Sequence, residues 1–207
     1  MKVVLYGATG KSGSRILTEL TSRGHQVVAV ARNTASLPAG VEAVQDDLSD
    51  VARIAATVKG ADAVVSAYAP PQDDTDQVIG VTERQVAALS YPGSPRLIVV
   101  GGAASLEVAP GVTLLASGHL PQEWVAIASS HAKALDLLKA SSIDWTYFSP
   151  AAFFVPGERT GKFRLGTDTL IADEKHDSRI SLEDYAIALV DELETPKHRR
   201  ARFTIGY

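Results

Sequence analysis

The chain of 207 residues contains no cysteine and a single methionine. Without thiols it forms no disulfide bonds, no thiolate zinc sites and no cysteine nucleophile. Twenty Lys and Arg residues stand against 24 Asp and Glu residues, so there is no basic excess for binding nucleic acid. The apolar run at residues 3–6 is too short for a signal peptide, and no run approaches the roughly 18 residues of a membrane span. We therefore expect a cytoplasmic protein that binds neither nucleic acid nor membranes.

Short apolar runs alternate with amphipathic helical patterns along the first part of the chain. The apolar runs predict strands at residues 3–6, 27–30, 41–44, 63–65 and 96–100. The helical periodicity predicts helices at residues 15–23, 51–58 and 76–89. Strands that are apolar throughout are typical of a parallel sheet covered by helices on both faces. The pattern predicts an α/β fold, a Rossmann-like doubly wound parallel sheet, in a single domain of residues 1–207.

Two irregular segments, 103–125 and 151–180, interrupt this alternation after the fifth strand. The regular elements around them are predicted as a helix through 132–138, a strand at 145–148, a helix at 182–193 and a strand at 202–205. Inside the second segment, the alternating residues 162–165 predict a hairpin with residues 169–171. We expect no separate substrate domain, so these two segments are left to cover the substrate. A cover that consists only of these two segments is shallow, and it suits a substrate with a flat ring.

The first site-bearing feature is the glycine-rich run GATGKSG at residues 7–13, which follows the first strand and opens the first helix. In that context the missing side chains let the backbone approach a pyrophosphate, and the helix N-terminus offers free N–H donors. A tight strand-to-helix turn without a ligand is the alternative. The candidate cofactor-binding residues of this run are Gly7, Thr9, Gly10, Lys11, Ser12 and Gly13.

Residues after the second and third strands are candidates for the adenosine end of a cofactor. Arg32 stands where an acidic residue would meet a free ribose 2′-OH, and its guanidinium suits a 2′-phosphate instead. We therefore favour NADPH, with NADH as the other option, and a solvated surface arginine as the alternative. Asp47 is a candidate acceptor for the adenine amine, and Leu48 lines the same pocket. An N-terminal turn of the next helix explains this pair equally well.

The remaining candidate cofactor residues lie where strands end. Ligands of open α/β sheets bind beyond the carboxyl ends of the strands. Small residues at these ends let a flat nicotinamide ring pass close to the backbone. The candidates are Ala67, Tyr68, Gly101, Gly102, Ser149, Pro150 and Ala151.

These features together resemble the atypical short-chain dehydrogenase/reductases, in particular the small NAD(P)H-flavin reductases related to the NmrA-like group and biliverdin reductase B. The resemblance covers essentially the whole chain. It is carried by residues 7–13, by 47–48, by 96–105 (RLIVVGGAAS), by 144–154 (DWTYFSPAAFF) and by 156–165 (PGERTGKFRL). It implies a Rossmann-like fold that uses NAD(P)H and delivers hydride to a flavin or a similar planar acceptor. The flavin is then a substrate rather than a tightly bound group.

One position departs from the typical short-chain dehydrogenases, which carry Tyr-x-x-x-Lys on the helix after the fifth strand. Lys133 fits the place of that lysine, but Ser129 stands where the tyrosine acid is expected. The atypical flavin reductases also lack this tyrosine. The candidate catalytic residues are therefore Lys133 and His131, the latter at a position similar to a site histidine of the biliverdin reductase B group. A partly exposed helical histidine without a role is the alternative for His131.

Aromatic residues in the irregular segments are candidate walls for a planar ring. Trp124, Phe153 and Phe154 are the candidate substrate-pocket residues, and burial in the core is the alternative for each. Basic residues at 159–164 either meet an anionic tail of the substrate or form a solvated face. The histidines have no second ligand at metal spacing, so we predict no metal site.

The leading hypothesis is an NADPH-dependent oxidoreductase whose partner is a small planar acceptor such as a flavin. The alternative is a non-catalytic NADP(H)-binding redox sensor of the NmrA-like type, which would dock a partner protein. The missing tyrosine fits both hypotheses. The sequence does not choose between a monomer and a homodimer.

Overall fold

The computed structural model describes all residues, 1–207, and contains twelve strands and five helices. The strands are β1 (Lys2–Tyr6), β2 (Gln26–Ala31), β3 (Glu42–Gln45), β4 (Ala63–Ser66), β5 (Arg96–Val100), β6 (Glu107–Ala109), β7 (Val112–Thr113), β8 (Trp145–Ser149), β9 (Phe153–Val155), β10 (Arg164–Gly166), β11 (Arg179–Ser181) and β12 (Ala201–Gly206). The helices are α1 (Lys11–Ser22), α2 (Val51–Val58), α3 (Gln77–Ala88), α4 (Gln122–Ala140) and α5 (Leu182–Glu194).

Eight strands form the main sheet in the order β10-β12-β8-β5-β4-β1-β2-β3. All neighbouring strands are parallel except β10 and β12, which are antiparallel at one edge. The chain moves outward from β1 in one direction through β2 and β3, then in the other through β4, β5, β8 and β12. This is the predicted Rossmann-like doubly wound fold, and the change of direction beside β1 opens a crevice at the carboxyl ends of the strands.

The sheet is buried on both faces because successive strand residues point to opposite sides. In β1, Val3 and Leu5 pack in a cluster with α1 and α5, whereas Val4 and Tyr6 pack in a second cluster with α2, α3 and α4. These two cores explain why the strands are apolar throughout. None of the helices is both long and apolar enough to cross a bilayer.

The two irregular segments contain short strands that local patterns do not predict. The segment 103–125 holds the antiparallel pair β6 and β7, and its last residues already belong to α4. In the segment 151–180, β9 pairs in parallel with β11, with Phe154 opposite Ile180. This small second sheet stands beside the end of β8.

The predicted hairpin of residues 162–165 with 169–171 is wrong. Leu165 of β10 lies opposite Ile205 of β12 instead, and Leu170 donates its N–H to the Glu107 oxygen at 2.8 Å. The physical reason is the edge of the main sheet. The outer side of β12 presents unpaired backbone groups, and β10 covers them.

Candidate functional site

Two cavities lie along the carboxyl ends of the strands. The first, which we call the glycine-loop cavity, has a volume of about 160 Å³. Among the predicted cofactor residues, those that line it are Gly7, Thr9, Gly10, Arg32, Asp47, Leu48, Ala67 and Tyr68. The structure therefore brings together residues that are 61 positions apart in the chain, from Gly7 to Tyr68.

The glycine loop is shaped by its lack of side chains. Gly7 has φ +74°, and a Cβ there would lie 2.4 Å from the Ala67 main-chain oxygen. The Gly10 N–H donates to the Gly7 oxygen at 2.9 Å, which closes the turn. Gly10 is the N-cap residue of α1 and has no side chain, so no capping side chain occupies the N–H groups of the first helical turn. A bare loop with such donors fits the pyrophosphate of a dinucleotide.

Arg32 and Asp47 are charged residues in the wall of this cavity. Arg32 is exposed and forms no salt bridge, so its guanidinium is free to meet an anionic group. Asp47 is also exposed, and its Oδ1 accepts the Ser49 N–H at 3.0 Å. Hydrogen bonds from Ser49 lower the pKa of Asp47. The turn proposed as the alternative for Asp47 is therefore present, alongside its place in the cavity wall.

The backbone of Leu48 is held from both sides. It has φ +64°, its N–H donates to Asp46 Oδ1 at 2.6 Å, and its carbonyl accepts from Arg84 Nε at 2.5 Å. Because that N–H is already engaged, Leu48 contributes its buried side chain to the wall. The other carboxylate oxygen of Asp46, Oδ2, is buried without a hydrogen-bond partner.

The second cavity, which we call the aromatic cavity, has a volume of about 540 Å³ and a mostly apolar wall. Both irregular segments contribute to it, the first through residues such as Leu114 and the second through residues 151–155. The predicted site residues that line it are Lys11, Gly102, Trp124, His131, Pro150, Ala151, Phe153 and Phe154. This volume falls in the range of small-molecule sites.

Two exposed aromatic rings stand at the wall of the aromatic cavity. Trp124 is 40% exposed and Phe153 is 42% exposed, and their rings meet edge to face with centroids 6.1 Å apart. The Arg179 guanidinium lies 5.3 Å from the centroid of the Phe153 ring. Burial in the core, the alternative for these residues, does not apply to Trp124 or Phe153. Phe154 is half-buried and packs on Tyr185.

The two cavities adjoin at the start of α1. Gly10 lines the glycine-loop cavity, and the next residue, Lys11, lines the aromatic cavity. Lys11, predicted as part of the phosphate loop, thus lines the aromatic cavity directly beside the glycine loop.

His131 of α4 lines the aromatic cavity beside a buried tyrosine. The Tyr147 hydroxyl lies 3.1 Å from the His131 main-chain oxygen and 3.5 Å from its Nδ1, and it accepts the Gly102 N–H at 3.0 Å. Burial lowers the pKa of His131 to about 4, so the ring is neutral at pH 7. Burial also raises the pKa of Tyr147 well above its usual range.

Some predicted residues line neither cavity: Ser12, Gly13, Gly101, Ser149 and Lys133. Gly101 serves packing, because a Cβ there would lie 2.3 Å from the Tyr147 ring. Lys133 is exposed on α4 and is not brought together with His131 in the wall of the aromatic cavity, so its catalytic role stays a prediction. No group of three or more His, Cys, Asp or Glu side chains is arranged to hold a metal ion.

Two basic residues of the second segment, Arg159 and Arg164, are engaged in structural contacts. Arg159 pairs with Glu19 at 2.9 Å, and Arg164 donates to the Ala172 oxygen at 2.7 Å. Neither lines the aromatic cavity. Tyr147, by contrast, stands at the site without any sequence signal, because a residue inside a fully buried strand has the pattern of a core residue.

The fold and the bare glycine loop define the class as a dinucleotide-binding α/β protein. A family model described as "NAD(P)H-binding" matches residues 7–196. The chain belongs to this NAD(P)H-binding family, in agreement with the predicted atypical short-chain dehydrogenase/reductase type.

Several proteins of similar length resemble the whole chain. The uncharacterized protein YwnB of Bacillus subtilis is 42% identical over 99% of this chain and 98% of its own. A structure named a putative exported protein, from Burkholderia pseudomallei, is 47% identical with a TM-score of 0.91 and full coverage of both chains. A structure named a putative NADH-flavin reductase, from Streptococcus pneumoniae, is 34% identical with a TM-score of 0.92, covering 100% of this chain and 99% of that one.

Proposed function

We propose that the protein is an NADPH-dependent oxidoreductase that reduces a flavin or a similar planar acceptor. The observation that carries this proposal is the junction of the two cavities at Gly10 and Lys11. A glycine-lined space and a larger aromatic space lie next to each other, as a cofactor and its acceptor require. The name of the Streptococcus pneumoniae relative agrees with this chemistry.

The glycine-loop cavity would hold the cofactor through groups of complementary chemistry. The bare loop at Gly7 and Gly10 fits the pyrophosphate, and Arg32, unpaired at the cavity wall, fits a 2′-phosphate. When bound, the reduced nicotinamide supplies hydride. The rest of the site has to align an acceptor and exclude water.

The aromatic cavity suits this task because its wall is apolar and carries few ionisable groups. Trp124 and Phe153 present aromatic surface to a flat ring. His131 is neutral at pH 7, so it does not act as a strong acid there. Flavin reduction is compatible with a neutral His131, because hydride transfer to a flavin does not depend on a protein tyrosine as carbonyl reduction does.

The experiment is a turnover assay with purified protein, NADPH and a panel of acceptors: FMN, riboflavin and a quinone dye. We expect oxidation of NADPH, seen as loss of the nicotinamide absorbance band, with at least one planar acceptor. NADPH binding is measured in parallel by titration calorimetry. Micromolar NADPH binding without turnover of any acceptor would overturn the enzyme proposal in favour of the non-catalytic sensor.

A further inference from the structure

The Arg202 side chain connects the two irregular segments that cover the aromatic cavity. It belongs to the second residue of β12 and is 8% exposed. Its Nη1 donates to the Ser105 carbonyl oxygen at 2.8 Å and to the Ser105 hydroxyl oxygen at 2.9 Å. Its Nε donates to Asp168 Oδ1 at 3.0 Å, and its Nη2 donates to the same oxygen. Ser105 lies in the segment 103–125 and Asp168 in the segment 151–180, so one guanidinium holds both segments.

The backbones of the two segments also meet next to this guanidinium. The Glu107 N–H donates to the Asp168 carbonyl oxygen at 2.8 Å, and the Leu170 N–H donates to the Glu107 carbonyl oxygen at 2.8 Å. We call this contact, together with the bonds of Arg202 to Ser105 and Asp168, the segment junction. Hydrogen bonds from a charged guanidinium are stronger than those between neutral groups, so Arg202 stabilises the segment junction.

On the side of the first segment, the segment junction leads to the wall of the aromatic cavity. Ala104, which precedes Ser105, lines the cavity, and its carbonyl oxygen accepts the Leu115 N–H at 2.8 Å. Leu106, which follows Ser105, is fully buried, and its carbonyl oxygen accepts the N–H of Leu114 at 2.8 Å. Because Leu114 also lines the cavity, a displacement of Ser105 would move this part of the wall.

On the side of the second segment, hydrogen bonds lead from residues 168–171 to another part of the wall. The Ser178 hydroxyl donates to the Ile171 carbonyl oxygen at 2.6 Å and accepts the Ala152 N–H at 3.1 Å. The Ser178 carbonyl oxygen accepts the Phe153 N–H at 2.8 Å. Ala152 and Phe153 line the aromatic cavity, so this part of the wall depends on the position of residues 168–171.

The relative position of the two segments matters because dispersion attraction falls steeply with distance. A gap of about 0.5–1 Å forfeits roughly a quarter to a half of the attraction between two surfaces. Trp124 lies in the first segment and Phe153 in the second, and their rings meet edge to face. A shift of one segment against the other would therefore change the aromatic surface that a flat ring contacts.

We propose that Arg202 is a positioning residue that fixes the spacing between the two parts of the cavity wall and so determines the affinity for a planar acceptor. Arg202 does not line the aromatic cavity, so it acts through the two segments. The proposal rests on the proposed function and deepens it, because it names a residue outside the cavity on which acceptor binding depends. Neither segment contributes a residue to the glycine-loop cavity, so we expect NADPH binding to be independent of Arg202.

The experiment compares Arg202→Met, Arg202→Lys and a control variant, each in the full chain. Methionine keeps an unbranched apolar side chain without a donor, whereas lysine keeps the charge and loses the planar arrangement of donors. Arg164→Met is the matched control. The Arg164 guanidinium donates to the main-chain oxygens of Ala172 and Tyr207 and to no residue of the segment 103–125.

Binding of riboflavin, followed by quenching of its fluorescence, is the first readout. We expect the riboflavin dissociation constant and KM to rise about fivefold or more in Arg202→Met, because a misplaced wall loses contacts with the ring. Arg202→Lys should recover part of this loss, and Arg164→Met should stay near the wild type. The NADPH dissociation constant should remain unchanged in all three variants. Equal losses of NADPH and riboflavin affinity would indicate a merely structural role and overturn the proposal.

Hydrogen exchange at the Glu107 and Leu170 N–H groups is the second readout, and it requires no ligand. We expect faster exchange at both groups in Arg202→Met, because the segment junction opens more often without the guanidinium. Unchanged exchange, or faster exchange with wild-type riboflavin affinity, contradicts the proposal. If Arg202→Met does not fold, Asp168→Ala decides the question, because the Asp168 side chain is 64% exposed and its removal breaks the Arg202 contact with the second segment alone. This variant should also bind riboflavin more weakly and NADPH as the wild type does.

The two proposals fail in different ways. A wild type that binds NADPH and riboflavin but oxidises no NADPH with any acceptor overturns the proposed function, while the riboflavin constants of the variants still decide the role of Arg202. A wild type that binds no riboflavin, or an Arg202→Met protein with wild-type riboflavin affinity and turnover, overturns the inference about Arg202. Neither of these two results contradicts reduction of another planar acceptor with NADPH.

Discussion

A Cβ atom placed on Gly13 would lie 2.0 Å from the main-chain oxygen of Gly7, whereas one on Gly10 would lie 3.1 Å from the same oxygen. The first turn of α1 therefore packs directly on the glycine loop at Gly13. Gly10 has extended backbone that any residue adopts, so it has room for a small side chain at the cost of space in the cavity. Gly13 therefore allows α1 to pack on the glycine loop, whereas Gly10 keeps space open in the cavity.

We expect Gly13→Ala to lower the free energy of unfolding by about 1–3 kcal/mol, the usual cost of overpacking against a rigid neighbour. Thermal and urea denaturation followed by circular dichroism measure this. Gly10→Ala is the matched control and should lower the free energy of unfolding much less. Its Cβ would require the Gly7 oxygen to shift by only a few tenths of an ångström. Equal destabilisation by the two variants would refute this assignment.

Gly10→Val should abolish NADPH binding and leave a folded protein. The branched side chain would fill the space next to the first helical turn, where the pyrophosphate is proposed to lie. Calorimetric titration with NADPH gives the dissociation constant, and circular dichroism reports the fold. Wild-type affinity in a folded Gly10→Val protein would exclude the glycine loop as the phosphate site.

Arg32→Asp should lower the affinity for NADPH far more than the affinity for NADH. The guanidinium at the cavity wall has no carboxylate partner to compensate, and the introduced carboxylate repels a 2′-phosphate. We expect the affinity for NADPH to fall about tenfold to a hundredfold, and the affinity for NADH to change by less than about threefold. Lys59→Asp serves as the control, because Lys59 is another exposed basic residue that forms no salt bridge and lines neither cavity. An unchanged ratio of the two affinities would remove Arg32 from this role.

Trp124→Ala should raise the dissociation constant of riboflavin about fivefold or more while the unfolding temperature stays nearly constant. The ring is 40% exposed, so the fold loses little, whereas a bound flat ring loses an aromatic contact. Quenching of flavin fluorescence measures the binding. Tyr91→Ala is the matched control, because Tyr91 is 42% exposed and lies outside the aromatic cavity. Equal binding by both variants would contradict the aromatic cavity as the acceptor site.

His131 gives the stability a defined pH dependence. Its pKa in the fold, about 4, lies below the ordinary value of 6.5, so the unfolded chain binds the proton first as the pH falls. The wild type should therefore lose stability between about pH 6.5 and pH 4, by about 2 kcal/mol more at pH 4.5 than His131→Gln does. Urea denaturation at pH 7 and pH 4.5 provides the comparison. Parallel losses in both proteins would show that His131 titrates normally.

The main sheet follows from the sequence because its strands carry a local signal. Residues such as Val3 to Tyr6 are apolar in succession, as is typical of a sheet covered on both faces. The parallel pair β9 and β11 has no such signal. Its partners, Phe154 and Ile180, are distant in the chain, and three-residue strands are too short for a period. The wrong hairpin at 162–165 has the same cause, since the competing partner is β12.

The glycine loop and Arg32 are predictable because strand, turn and helix occur in a fixed local order. The inner wall of the aromatic cavity is different. Tyr147 contacts Gly102 and His131 only after β5, α4 and β8 have packed together, so no local pattern predicts these hydrogen bonds. The partner of Arg159, Glu19, lies 140 residues away, so only the structure shows that this arginine is engaged with α1.

The most direct test of the proposed function is a single turnover without oxygen, with equimolar protein, NADPH and FMN in a stopped-flow spectrometer. We predict that the flavin absorbance and the nicotinamide absorbance fall together, one flavin reduced for each NADPH oxidised, at a rate well above that of the two compounds without protein. Binding of NADPH with both absorbance bands unchanged, or changing only at the protein-free rate, would contradict the account.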